Sequence, residues 1–179
     1  MTEGKEEKKG LVLVITGDGK GKTTSALGQA VRAMGHGFKV FFLQFMKGRT
    51  YGEHICAEKY LPNLTVRQCG LEKFVIKGKA TPADIEEARE GLEMARQAMF
   101  SGEYDMVILD EINICMDFGL IPVEEVVELV KNKPPQLDLV LTGRRAPAEI
   151  IELADTVSEV KEIKHAYAKG IKARAGIEF

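Results

Sequence analysis

Tryptophan is absent from this 179-residue chain, and cysteine is sparse: three in all, none spaced as Cys-x-x-Cys. The odd, scattered set Cys56, Cys69 and Cys115 supports neither a disulfide framework nor a zinc ribbon, so reduced thiols packed as small hydrophobes are expected. No surplus of one charge sign exists either. The 25 lysines and arginines against 27 aspartates and glutamates leave a formal net charge of −2. That balance argues against a general nucleic-acid binder, while leaving room for a local basic pocket. No apolar run approaches the ~20 residues of a membrane span. Residues 1–9 are polar and mixed in charge, without the apolar core of a secretory signal. A cytoplasmic protein with a flexible polar segment over 1–9 is therefore expected. Repeats and linker-like tracts are missing as well, and 45% hydrophobic with 29% charged residues is ordinary for a globular protein. Residues 10–179 are read as one domain.

What is present is an alternation of short apolar runs and amphipathic stretches. Leu11-Val12-Leu13-Val14-Ile15 and Val40-Phe41-Phe42-Leu43-Gln44-Phe45 are continuous apolar runs of the kind that mark strands buried on both faces. Further strands are expected over 64–69, 105–111 and 137–141, with a last one over 156–163. Helices are expected over 23–34, 51–60, 81–100, 122–131 and 147–154. The third of these has a strong start, with Thr81 as N-cap, Pro82 at the first helical position and acidic residues in the first turn. Residues 70–81 have no clear period and are read as a long loop of the sort that often serves as a lid. This order predicts an α/β fold: a mostly parallel sheet with helices on both faces.

Between the first strand and first helix stands Gly17-Asp18-Gly19-Lys20-Gly21-Lys22-Thr23-Thr24. Glycines free backbone amides to point at phosphate oxygens, and the following helix adds its positive end. Lys22 would reach the phosphate chain and Thr23 would offer its hydroxyl to Mg²⁺. The usual pattern opens with glycine; here Thr16 stands there. The context, strand then loop then helix, marks a triphosphate-binding loop and a P-loop NTPase-like, RecA-like single domain.

The run Met106-Val107-Ile108-Leu109 leads into Asp110-Glu111. Carboxylates at the end of a neighbouring parallel strand lie beside such a loop and suit Mg²⁺. In a hydrolase Glu111 would instead activate water. Leu141-Thr142-Gly143-Arg144-Arg145 ends another strand at the same edge, where an arginine can neutralise charge on a phosphate leaving group.

Taken together, Thr16 to Thr24, Arg32-Ala33-Met34-Gly35-His36-Gly37, Gln44-Phe45-Met46-Lys47-Gly48, Leu109-Asp110-Glu111 and Thr142-Gly143-Arg144 resemble the ATP:corrinoid adenosyltransferases. So do Leu153-Ala154-Asp155-Thr156-Val157-Ser158-Glu159 and the tail from Lys164-His165-Ala166 to Gly176-Ile177-Glu178-Phe179. The resemblance covers residues 10–179. It implies transfer of the 5′-deoxyadenosyl group of ATP to the cobalt(I) of a reduced corrinoid, with release of triphosphate and no protein nucleophile. It further implies ATP contacts from Gly17, Asp18, Gly19, Lys20, Gly21, Lys22, Thr23, Thr24 and Arg32, and Mg²⁺ served by Thr23, Glu111 and Asp110. Lys22 and Arg144 would stabilise the leaving group. The triphosphate would lie reversed relative to ordinary P-loop enzymes. A homodimer and an external reductant are implied too. Close relatives often carry an aromatic pair including tryptophan in the long loop; the resemblance implies that Leu71 and Phe74 there, and His165 of the tail, face the corrinoid in this chain.

Two other readings compete. A P-loop ATPase or kinase would act at the γ-phosphorus and yield ADP; an ATP-sensing module would bind nucleotide and release nothing.

Overall fold

The computed structural model describes residues 9–73 and 75–179. The expected flexible segment over 1–9 therefore lies, apart from Lys9, outside the described residues, as does Phe74. The strands are β1 (Val12–Thr16), β2 (Val40–Phe45), β3 (Leu64–Cys69), β4 (Met106–Asp110), β5 (Asp138–Thr142) and β6 (Thr156–Glu159). The helices are α1 (Lys22–Met34), α2 (Gly52–Tyr60), α3 (Pro82–Phe100), α4 (Ile112–Asp117), α5 (Val123–Lys131) and α6 (Ala148–Leu153), with a 3₁₀ turn at Ala166–Lys169. They form one six-stranded sheet in the order β3-β2-β4-β5-β1-β6, and every strand pairing is parallel.

The continuous apolar runs read as strands because each side of the pleat meets a different hydrophobic layer. Phe41, Leu43 and Phe45 of β2, Val107 and Leu109 of β4, and Leu139 and Leu141 of β5 join the core shared with α3 and α5. Their alternates, Val40, Phe42, Met106, Ile108 and Val140, join the core beneath α1. Burying such a side chain stabilises by roughly 1.5–3 kcal/mol, so a one-residue slip of register, which inverts both faces, is strongly disfavoured. Helix α1 turns Ala26, Ala30 and Ala33 to the sheet, and these small side chains let its axis approach closely. Helix α3 does the same through Gly91, where an added Cβ would come within 2.3 Å of Cys69 Sγ.

Most element ends fall within one residue of expectation, but the exit from β4 and the end of β6 depart from it. Strand β4 stops at Asp110 because Glu111 takes a left-handed backbone, φ 63°, and begins a helix that the periodicity did not suggest. That helix, α4, is only one and a half turns long and docks through Asn113, whose amide donates to the Gly143 carbonyl at 3.2 Å. Strand β6 ends at Glu159 rather than continuing to 163. From Val160 the backbone turns to the Gly17–Lys22 loop: Val160 N–H donates to Thr16 O at 2.8 Å, and Gly19 N–H donates to Val160 O at 2.7 Å. The third helix begins as expected, with Thr81 and Asp84 forming a reciprocal capping box.

Candidate active site

A parallel sheet brings the carboxyl ends of all its strands to one edge, which is where ligands bind in open α/β folds. Three non-glycine residues among those described have positive φ, and each follows a strand at that edge: Met46 (56°) after β2, Glu111 (63°) after β4 and Arg145 (56°) after β5. Such conformations cost on the order of 1–3 kcal/mol and persist where surrounding structure holds them, commonly at functional sites.

The phosphate loop leaves β1 at this edge. Gly21 has φ 124° and ψ −3° at the start of α1, a conformation that a side chain rarely tolerates even though open space surrounds it. Gly17, at φ 98°, faces the opposite constraint as well: an added Cβ would stand 2.5 Å from the Val160 carbonyl oxygen. The Thr16 hydroxyl, where glycine is usual, accepts from Ala146 N–H at 3.2 Å and so ties the loop's first residue to the segment carrying Arg144 and Arg145. The outer side of the loop is covered by the chain's last segment, with Lys20 Nζ donating to Ile177 O at 2.7 Å.

Lys22 is buried, and its ammonium folds back onto Gly19 O at 2.7 Å. Burial pulls its pKa below the ordinary lysine value, and Arg144 adds to this against the opposing charges of Glu111, Asp18 and Asp110. Beside it lies Asp110, fully buried and ringed by donors. Thr23 Oγ1 donates at 3.0 Å to Oδ1, and Thr142 Oγ1 donates to the same oxygen at 2.5 Å. Lys47 Nζ at 2.8 Å and Gln44 Nε2 at 3.3 Å donate to Oδ2. The Thr142 hydroxyl also accepts from Glu111 N–H at 3.0 Å, holding the strained residue in place. The Glu111 carboxylate takes no hydrogen bond among the described residues. Burial pushes its pKa up, the Asp110 charge adds to that, and Lys47, Lys22 and Arg144 oppose it.

Residues 8–179 match the family described as "ATP:corrinoid adenosyltransferase BtuR/CobO/CobP". The chain belongs to the ATP:corrinoid adenosyltransferase family. Curated relatives agree with this. The corrinoid adenosyltransferase of Escherichia coli K12 is 38% identical over 175 residues, 97% of this chain and 88% of that protein. Those of Pseudomonas aeruginosa and Salmonella typhimurium LT2 are 36% and 35% identical, each over 97% of this chain and over 85% and 88% of their own lengths. A KaiC-like protein from Pyrococcus horikoshii superposes with TM-score 0.56 over 88% of this chain and 76% of its own, at 16% identity, which speaks to the fold alone. An adenosyltransferase of this family takes ATP and a corrinoid as its substrates. Among the described residues no helix is long and apolar enough to cross a membrane.

The residues at the adenosyltransferase sheet edge fit a magnesium ion held jointly with phosphate. Thr23 gives its hydroxyl hydrogen to Asp110, which leaves the oxygen lone pairs for a cation. Gln44 has both amide hydrogens committed to carboxylates, Glu53 and Asp110, so its buried Oε1 is fixed in orientation and lacks a partner among the described residues. Water on a hydrated cation is a donor that would satisfy it. Mg²⁺ is commonly held by one or two carboxylates plus substrate phosphates, and Asp110 and Glu111 are the carboxylates at this edge.

The structure brings together Gly17 to Thr24, Asp110 and Glu111, with Arg144 reaching Asp18 of the loop at 3.9 Å. It does not bring Arg32 to them. Arg32 is exposed on the last turn of α1, ten residues and about 15 Å along the helix from Lys22. Leu71 stands on the 70–81 loop, its side chain partly exposed near Met46 and Cys69. His165 caps the 3₁₀ turn, its Nδ1 accepting from Tyr167 N–H at 3.1 Å, which leaves Nε2 for any other contact. Sequence reasoning gave no role to Gln44, Lys47 or Thr142. A signal was there: Gln44 is a polar residue inside an otherwise apolar strand, and such a residue is fully buried only with partners.

Proposed function

We propose that the chain transfers the 5′-deoxyadenosyl group of Mg-ATP to the cobalt(I) of a reduced corrinoid, breaking the C5′–O bond and releasing inorganic triphosphate. The observation that carries the reading is the cluster of Lys22, Thr23, Asp110 and Glu111 at one sheet edge in a chain of this family. Cobalt(I) brings its own electron pair, so the protein supplies position, charge and exclusion of water. The loop from Gly17 to Thr24 receives the triphosphate through its amides. Lys22 leaves Gly19 O for a phosphate oxygen, and Arg144 moves from Asp18 toward the same charge. Thr23 and Glu111 would hold magnesium, while Asp110, saturated by its own donors, acts through Thr23. A magnesium ion held there would supply positive charge against the departing triphosphate. Arg32, which the resemblance gives a nucleotide contact, stands at the far end of α1 from the phosphate loop and takes no part in this arrangement. The corrinoid is assigned to Leu71 of the 70–81 loop and to His165, and the resemblance adds Phe74. The enzyme works as a cytoplasmic homodimer supplied by an external reductant.

Anaerobic incubation with cob(I)alamin and Mg-ATP tests this. The expected products are a base-stable adenosylated corrinoid spectrum and triphosphate. ADP with an unchanged corrinoid spectrum would overturn the reading in favour of a γ-phosphate enzyme, and tight ATP binding with no product would leave a sensing module. Lys22→Ala should fold normally and lose at least about a hundredfold in kcat/KM, the scale of one lost charge-stabilising group.

A further inference from the structure

Lys47 is a buried-site cation that the mechanism above does not use. It enters the site from β2, not from the phosphate loop. Met46, in the left-handed region at φ 56°, swings it off the strand. Its N–H donates to Cys69 O at 3.3 Å. Two glycines then lock the turn backbone to backbone. An added Cβ on Gly70 would lie 2.8 Å from Lys47 N, and one on Gly48 would lie 2.6 Å from the Leu71 carbonyl carbon. The ammonium sits 2.8 Å from Asp110 Oδ2, with its side chain 16% exposed, and 5.3 Å from the centre of the Tyr51 ring. Strain, packing and an aromatic face thus converge to hold one charge on one carboxylate oxygen.

A lysine that merely recruited phosphate would resemble Lys22, whose ammonium rests on a carbonyl that it can leave. Lys47 is committed instead. With Thr142, Gln44 and Thr23, it fills the acceptor positions of Asp110, so the carboxylate has no oxygen to offer a bare cation. Glu111 and the Thr23 oxygen remain, and two oxygen donors without phosphate hold Mg²⁺ poorly.

We propose that Lys47 is a positioning residue that acts as a built-in counter-ion to Asp110, so that the site accepts the divalent cation together with triphosphate and rejects it alone. The proposal rests on the assignment of Mg-triphosphate to the phosphate loop. By holding Oδ2, Lys47 also fixes the carboxylate so that Oδ1 faces Thr23, which orients the threonine oxygen toward the metal it would bind.

The test is Mn²⁺ binding to the full chain without nucleotide, read by loss of the free-ion electron paramagnetic resonance signal. In Lys47→Met the Asp110 charge is released, and Mn²⁺ affinity should rise about tenfold or more, because a like charge is removed from the carboxylate that a cation would face. The same variant should raise KM for Mg-ATP by about tenfold, since the Thr23 hydroxyl loses its fixed acceptor geometry. Lys47→Arg, which keeps the ion pair, should return both values to within about threefold of wild type. A purely structural role would weaken nucleotide binding without tightening Mn²⁺. Unchanged or weaker Mn²⁺ affinity in Lys47→Met therefore overturns the proposal, as does a failure of arginine to rescue. Should the methionine variant not fold, Lys47→Gln, uncharged but able to donate, carries the same two measurements. Lys22→Ala separates the levels: if it binds Mg-ATP as wild type does, the phosphate-loop assignment falls; if it loses ATP while Lys47→Met leaves Mn²⁺ binding unmoved, only the role of Lys47 falls.

Discussion

Replacing Thr142 by valine removes one hydroxyl and almost no volume, so its effect isolates the hydrogen bonds. Two are lost. The hydroxyl donates to the fully buried Asp110 at 2.5 Å and accepts from Glu111 N–H at 3.0 Å. A hydrogen bond to a charged group is worth about 1.5–3 kcal/mol, and a buried N–H left without an acceptor costs about 1–3 kcal/mol. The added methyl recovers part of that, about 1 kcal/mol. The net loss should be about 3 kcal/mol, which for a domain of this size lowers Tm by about 6–12 °C. Function should suffer further, because the Thr142 oxygen holds Glu111 in its left-handed conformation. Once released, Glu111 should relax toward ordinary φ, carrying its carboxylate away from the position proposed for the metal. Thermal and urea unfolding of the ligand-free protein measure the first effect; KM for Mg-ATP and kcat measure the second. Thr142→Ser restores both bonds and loses only a methyl, so it should fall within about 1 kcal/mol of wild type and keep its activity. A valine variant as stable as wild type would refute the reasoning, and so would a serine variant as damaged as valine.

The capping box of α3 predicts a pH dependence. Thr81 N–H and then its hydroxyl, each 2.7 Å from Asp84 Oδ2, hold that carboxyl below the ordinary aspartate range. Its contribution is present above the unfolded aspartate value and is lost as pH falls through the lower folded value. Asp84→Asn should thus be less stable than wild type at neutral pH, by no more than about 1 kcal/mol for so exposed a cap, and the gap should close in acid; a gap that persists below both values counts against the assignment. Thiol chemistry offers a last check. Burial pushes Cys69 up to about 12 and Cys115 well above its ordinary value, whereas Cys56 is exposed. Iodoacetamide at pH 8 should label Cys56 alone in the native protein and all three cysteines in urea; native labelling of Cys69 would show that its packing has been misjudged.

Local order along the chain is legible in the residues themselves. The run Leu11 to Ile15, the glycine-spaced loop and the helix behind it are decided by neighbours in sequence: which residues tolerate positive φ, which bury both faces of a pleat, which carry a charge one turn into a helix. The tail, too, resembles a family on its residues alone. Helix α4 is not legible in this way, because six residues are too few to show a period and its start depends on a strained Glu111 that only Thr142 and the Asn113–Gly143 contact sustain. The final strand reads four residues too long for a related reason: beyond Glu159 the backbone hydrogen bonds go to the phosphate loop, a partner some 140 residues away.

The phosphate-binding role proposed for Gly17 to Thr24 thus belongs to the sequence by itself, since a single contiguous loop would perform it. The environment of Asp110 belongs to the tertiary structure. Thr23, Gln44, Lys47 and Thr142 come from α1, β2, the turn after β2, and β5, and nothing in their spacing relates them. They meet because β2 and β5 flank β4 in the sheet, with Gln44 in register beside Asp110 and all strand ends at one edge. A buried carboxylate demands donors on every side, and only the packing of parallel strands could choose which residues supply them.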